Sequence, residues 1–203
     1  MKQLADRGGY DIFVSCYCEI DDLVSQWRGY GAGGAGYSIG IPLSRSGRVL
    51  LIGVVYGDEA VLGAASKAID LTIQRFVAAR KIGPGGDEAA FDVITSLFLT
   101  LMLLAICSKK KVFSFEQAFR LIHLIKTGTS SEAVDFRTAN GLVVPFVRLD
   151  LPRDNSERIA LSSERCGPSL LDAATGLGVQ MHLRARGLGH VPVLRSDVPL
   201  RMP

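Results

Sequence analysis

Two long helical patterns stand side by side in the middle of this chain and constrain its fold more than any other feature. Asp58 to Lys81 carries Val61, Ala65, Ala68, Ile69, Ile73, Phe76 and Val77 at three- and four-residue spacing, the period of a helix with one apolar face. Ile82-Gly-Pro-Gly-Gly breaks it, and Asp87 opens a second, more apolar helix. Three strand patterns precede the pair: Tyr10–Cys18, Tyr37–Leu43 and Arg48–Tyr56, the last apolar enough to be central. Two adjacent helices after three strands, with more strands beyond, argue against β-α-β alternation. The expected class is α+β, with a mixed or antiparallel sheet, two consecutive helices in the middle and one C-terminal helix. No internal repeat, low-complexity tract or linker appears, so residues 1–203 read as one domain.

The second half is shorter in its elements. Val112 to Ile125 mixes an alternating pattern (Phe113, Phe115, Phe119, Leu121, His123) with a continuous apolar run, and a strand is expected near Arg120–Ile125 after a short turn. Thr127 to Ser131 reads as a loop. Ala133–Thr138 and Leu142–Leu149 form a hairpin around Asn140-Gly141, the strongest short-range hairpin signal. A strand over Arg158–Ser162 follows, then a helix over Ser169–Arg186 with Leu170, Ala173, Ala174, Leu177 and Met181 inward. Val191–Leu194 is the last strand, and Ser196–Pro203 a tail.

With 203 residues, 48% hydrophobic and 21% charged, the chain can bury a core and is far from a disordered composition. A net charge of +3 gives no strong nucleic-acid signal. Arg184, Arg186, Arg195 and Arg201, among Gly and Pro, read either as a phosphate-meeting segment or as a solvated face with internal ion pairs. Cys16, Cys18, Cys107 and Cys166 include no Cys-x-x-Cys pair. Cys16 and Cys18 share one face of a strand and read as buried thiols of a reducing, cytoplasmic compartment. A zinc site from these two and one of His123, His182 or His190 lacks the paired ligand spacing such sites use. The histidines also have no neighbouring acid at a telling spacing, so no Ser-His-Asp or Cys-His arrangement is assigned. Met-Lys-Gln-Leu-Ala-Asp-Arg at the start has no apolar signal run. The membrane candidate is Ala89–Cys107, followed by Lys109, Lys110 and Lys111. Asp92, Thr95, Ser96 and Thr100 interrupt it, and its clean apolar part, Leu97–Cys107, is too short to span. It reads as a buried helix of a soluble domain, with no membrane span.

The stretch Asp21–Ile41 concentrates the chain's single tryptophan and much of its glycine. Asp21-Asp22 can cap a short helix carrying Leu23, Val24 and Trp27. Gly31-Ala-Gly33-Gly34-Ala-Gly36 matches the dinucleotide fingerprint in letters. That fingerprint needs a strand before it and a helix N-terminus after it, where the pyrophosphate meets free N–H groups. Here helix-like residues precede and a strand follows, so the Rossmann reading is rejected. Two readings remain: a loop presenting N–H groups to an anion, or a packing loop. Glu116 and Arg120, four residues apart, are either a local salt bridge or a site carboxylate held by a guanidinium.

Four pieces of the chain resemble the bacterial domain-of-unknown-function family 2971, in family order. Phe13-Val-Ser-Cys-Tyr-Cys-Glu, then Asp22-Leu-Val-Ser-Gln-Trp-Arg-Gly-Tyr and Gly36-Tyr-Ser-Ile-Gly, is similar to its "S-F-S-E … D-x-L-S-Q-W-R-x-Y … G-x-x-I-G-F". Phe113 to Leu121 resembles "F-x-x-E-x-E-W-R-L". Val134-Asp-Phe-Arg with Leu142-Val-Val-Pro-Phe-Val resembles the hairpin after it. Gly167-Pro168 and Val193-Leu-Arg-Ser196-Asp-Val-Pro199-Leu-Arg201 resemble the closing "G-P … V-x-x-S-x-x-P-x-R". Two departures stand out. The family's opening "Y-H-Y-T-S" and "L-N-D-x-x-E" lie upstream of where this chain starts, which reads as a truncated product whose N-terminal segment, or a partner chain, is missing. In the acidic motif, Ala118 stands for the second glutamate and Phe119 for the tryptophan.

The family's "Y-H-Y-T" and "E-x-E" resemble the His and Glu elements of the ADP-ribosyltransferase fold, in which a glutamate stabilises the oxocarbenium-like centre as nicotinamide leaves NAD. By that analogy NAD is the implied cofactor, Glu116 the surviving catalytic acid, and this chain weakly active or inactive. The resemblance implies a cleft for a small-molecule or nucleotide ligand, and a defence or toxin role for the intact family. Trp27 and Tyr30 would stack on a base. Arg28 and Arg120 would hold phosphates, and Gly33, Gly36, Ser196 and Arg201 complete the expected ligand set. One alternative is a pseudo-domain whose apolar helix Ala89–Cys107 seeks a partner chain or membrane in place of its absent N-terminal neighbour. Another is a non-catalytic binding or regulatory module. There the Trp-Arg-Gly-Tyr block is a structural keystone, with Trp27 in the core and Arg28 or Arg120 paired to a buried acid such as Asp22 or Glu116.

Overall fold

A computed structural model describes residues 9–31, 34–42, 49–81, 85–126, 134–149, 153, 158–168 and 173–199. The elements in order are β1 (Tyr10–Cys18), α1 (Val24–Tyr30), β2 (Tyr37–Gly40), β3 (Val49–Gly53), β4 (Val55–Tyr56), α2 (Asp58–Arg80) and α3 (Gly86–Ile106). Then come β5 (Ser108–Lys109), a 3-10 helix (Lys111–Glu116), β6 (Ala118–Lys126), β7 (Asp135–Ala139), β8 (Leu142–Phe146), β9 (Ser163–Cys166), α4 (Ala173–Ala185) and β10 (Val193–Arg195). The class is α+β, with the two consecutive helices in the middle and one helix near the C-terminus, as the sequence pattern indicates.

The chain divides into two compact units, Met1–Leu51 with Ile122–Pro203, and Ile52–Leu121. No linker marks this division, because it falls inside β3 and β6. These two strands and β1 form a sheet in the order β1-β6-β3. The central strand is therefore β6, which holds the fully buried Ile122, and not the apolar stretch Arg48–Tyr56 expected there. That stretch is interrupted at Val54, whose N–H donates to the Ala118 carbonyl, and its second part becomes β4, parallel to β5.

In the first unit, β10, β9 and β2 make a mixed sheet in that order. β9 runs antiparallel to β2 (Tyr37↔Cys166) and parallel to β10 (Val193↔Glu164). The strand expected over Arg158–Ser162 lies a few residues later, at Ser163–Cys166; Ile159 makes only an isolated bridge to Arg153. The Asn-Gly hairpin forms as read. Ala139 pairs with Leu142, and both turn residues have positive φ (Asn140 52°, Gly141 75°), the geometry of the tight turn this dipeptide favours. Arg148 closes it, bonded to Asp135 at 2.7 Å and set over the Phe146 ring. In α4 the inward face also differs from expectation: Leu183 is buried, whereas Leu177 and Met181 are more than half exposed. Leu170 lies outside the described residues, as do the expected loops Ser44–Gly47 and Thr127–Ser131.

In the second unit, α2 and α3 pack on each other, and Arg80 pairs with Asp87 across the short connection. The face of α2 with Val61, Ala65, Ala68, Thr72, Phe76 and Ala79 is half-buried or buried. Ile69, Ile73 and Val77, expected inward, are 40%, 56% and 47% exposed. They sit one step around the helix from the face that meets α3. The buried helix expected over Ala89–Cys107 needs the same correction. Only Gly86 and Ala90 of α3 are buried.

Candidate functional site

The tryptophan block becomes α1, and its side chains part by face. Trp27 turns inward at 3% exposure, while Arg28 and Tyr30 stay outside, Tyr30 at 82%. A buried indole N–H needs an acceptor. It donates to Asp22 Oδ1 at 2.7 Å. The Ser196 hydroxyl donates to the same oxygen at 2.6 Å, and the Asp197 N–H donates to Asp22 Oδ2 at 2.8 Å. Arg165 flanks the group. Its Nε donates to Asp21 Oδ2 at 3.0 Å, and its Nη1 lies 3.7 Å from Asp22 Oδ2 and donates to the Arg195 carbonyl at 2.5 Å. One carboxylate thus ties α1 to the segment after β10, beside an arginine from β9. The cap expected from Asp21-Asp22 does not form: the N-cap of α1 is Leu23, without a side-chain bond.

Burial pushes the Asp22 pKa up. The hydrogen bonds from Ser196, Trp27 and Asp197, together with the Arg165 charge, outweigh that and bring it below the ordinary aspartate value. The group is a carboxylate at neutral pH, and its bonds are charge-assisted.

Behind Trp27 the glycines meet one another. The Gly167 N–H donates to the Gly36 carbonyl at 2.9 Å, and the Gly34 N–H to the Gly31 carbonyl at 2.8 Å. A Cβ on Gly31 would lie 2.9 Å from the Trp27 ring, and one on Gly36 would lie 2.9 Å from the Gly31 Cα. One on Gly167 would press on the carbonyl oxygens of Gly34 and Gly36, 2.8 Å from the latter. Close approach of backbone to backbone is what these glycines permit.

No family model matches the chain, and no curated protein or solved structure matches it.

Glu116, the residue singled out as an acid, belongs to the second unit. It ends the 3-10 helix at 7% exposure and takes an ion pair from Lys109 of β5. The Lys109 ammonium also sits 4.7 Å from the Phe113 ring centre. Gln117 follows with φ 44°, turning the chain into β6, where the Ala118 N–H donates to Tyr56 Oη at 2.8 Å. Ala118 is buried. Glu116 and Arg120 are four residues apart, but the 3-10 helix ends between them and Arg120 lies in a strand, so the spacing is not a helical one. Replacing Lys109 with alanine leaves a buried carboxylate without this ion pair. We expect a stability loss of about 2 kcal/mol, read as a lower denaturant midpoint, with most of it restored in Lys109→Arg.

Of the expected ligand set, Trp27 and Ser196 meet on Asp22. Gly36 accepts from Gly167, and Arg28 and Tyr30 lie on the exposed face of α1. Gly33 and Arg201 lie outside the described residues. The acid partners suggested for Arg28 and Arg120 are taken by other residues: Asp22 has Arg165 and Glu116 has Lys109. Neither was singled out in the sequence. Arg165 was hidden by the misplaced strand, and Lys109 by its place in a run of three lysines. Cys16 is exposed, not buried as expected, whereas Cys107 and Cys166 are each 1% exposed. Burial, with Glu164 nearby, raises the Cys166 thiol above its ordinary pKa, partly offset by Arg195. Among the described residues no three His, Cys, Asp or Glu side chains gather as a metal site. His123 Nδ1 is buried there without a hydrogen bond.

Proposed function

We propose that this chain is a non-catalytic binding or regulatory module of the family 2971 type, with Ser25-Gln26-Trp27-Arg28-Gly29-Tyr30 as its structural keystone. The observation that carries this reading is the meeting of the Trp27 indole N–H and the Ser196 hydroxyl on one oxygen of Asp22. An indole buried at 3% exposure and bonded in this way has no free face for a nucleotide base. Glu116 gives further support, since a carboxylate held by a lysine ammonium is a poor partner for a developing oxocarbenium centre.

The nucleotide-binding reading keeps Arg28 and Tyr30, which are exposed on one short helix. Titration calorimetry with NAD and ADP-ribose, and a nicotinamide-release assay with cell extract, separate the two. We expect no binding heat and no release of nicotinamide. Arg28→Ala should melt within about 1 °C of the parent, as an exposed position predicts. Saturable NAD binding that Arg28→Ala abolishes at an unchanged melting temperature would overturn the keystone reading.

A further inference from the structure

Helix α3 is the most apolar segment of the chain, and most of it lies on the surface. Gly86, Ala90, Val93, Leu97, Leu101 and Leu104 recur every three or four residues and are buried or half-buried, which marks the face toward α2. Roughly a quarter turn away runs a second stripe at the same spacing. It comprises Phe91 at 54%, Ile94 at 51% and Phe98 at 70% exposure, followed by the half-buried Met102 and the exposed Ala105. Spacings of three and four along one line form the seam by which helices pack knob into hole.

We infer that this stripe is a homodimer interface, in which α3 of one copy packs antiparallel on α3 of a second copy of this chain. The residue order is self-complementary about Phe98. An antiparallel partner centred there sets Phe91 against Ala105, Ile94 against Met102 and Phe98 against its own mate, so that the largest side chain faces the smallest at each end. A two-fold axis requires this kind of self-matching. The charges agree. α3 opens with Asp87 and Glu88 and is followed by the exposed Lys110 and Lys111. In the antiparallel pair, the acidic first turn of each helix lies beside the lysines of the other, and the helix dipoles oppose.

At 21 residues the helix is also long and apolar enough to cross a membrane. However, α2 packs along it and carries the exposed Lys67, Asp70, Gln74 and Arg75 within its length, groups that hydrocarbon excludes. A second copy covers the α3 stripe and leaves that polar face in water.

Sedimentation velocity and light scattering on the full chain test this. The expected result is a species of twice the 21.8 kDa chain mass at micromolar concentrations. Phe98→Lys, which sets two like charges face to face on the axis, should weaken association at least about a hundredfold while the helical circular dichroism is kept. Glu88→Lys should weaken it about tenfold, and adding Lys110→Glu and Lys111→Glu should restore it. This charge swap stands as the test should Phe98→Lys fail to fold. In a Cys16→Ser, Cys18→Ser background, Phe98→Cys should form an intermolecular disulfide on oxidation. A monomeric parent chain, a dimer indifferent to both Phe98→Lys and the charge swap, or partitioning of the parent into phospholipid vesicles would each overturn the proposal.

Discussion

Replacing Asp22 with alanine should lower the melting temperature by about 10 °C, the largest single effect expected in this chain. The substitution leaves the Trp27 indole N–H and the Ser196 hydroxyl without their acceptor, inside groups that are 3% and 8% exposed. A buried donor left unpaired costs about 1–3 kcal/mol. The Asp197 N–H, on an exposed residue, can turn to water and adds little. Arg165 keeps Asp21 and the Arg195 carbonyl but loses one neighbouring charge. The sum is about 3–4 kcal/mol, which for a chain of this length converts to roughly 6–16 °C.

The effect depends on pH, and the direction is set. The folded-state pKa of Asp22 lies below its unfolded value of about 3.9. Its ionised form therefore contributes fully above that value, and the contribution is lost as pH falls through the lower, folded pKa. Melting curves of the parent and Asp22→Asn should differ by a constant amount from neutral pH to about 5, then converge in stronger acid. A gap that widens on acidification contradicts this assignment.

Gly167→Ala ranks next. Its methyl group would press on the carbonyl oxygens of Gly34 and Gly36, and backbone atoms cannot swing aside as the end of a side chain can. The Gly167 N–H to Gly36 bond that holds β9 against the glycine loop would have to open. We expect a loss of about 3 kcal/mol, at the upper end for overpacking by one methyl. Gly29→Ala is the control. It sits on the exposed side of α1 with nothing near its added Cβ, and should be neutral or slightly stabilising. Denaturant unfolding of the two variants reads the difference directly. Equal midpoints would mean that the loop is slack and that its glycines serve another purpose.

Local signals were legible in the sequence and long-range pairings were not. The Asn140-Gly141 turn was readable because its geometry is set by two residues with positive φ. The two central helices were readable from periodicity, but their exposure was not: the same apolar count serves a helix covered on one side or on both. The apolar run of Arg48–Tyr56 predicts a central strand, yet β6 holds that place in the sheet order. Spacing within one strand does not state which strands lie beside it. Asp22 was readable as a polar residue ahead of a helix, and capping is the usual use of such a residue. Its real bonds come from Trp27, Ser196 and Asp197, the last two more than 170 positions away. The tryptophan block is distinctive in the sequence by its composition. The groups that meet Asp22 beside Trp27 include Ser196 and Arg165, which local pattern places in a tail and between elements.

Trp27 is fastened to Asp22 inside the protein. Because the chain has one tryptophan, its indole N–H gives one resonance in a 15N-labelled sample. We expect this proton to be protected from exchange with deuterated water, Asp22→Asn to shift it and shorten its protection, and added NAD or ADP-ribose to leave it in place. An indole proton that exchanges at the rate of free tryptophan, or that moves in proportion to added nucleotide, would contradict it.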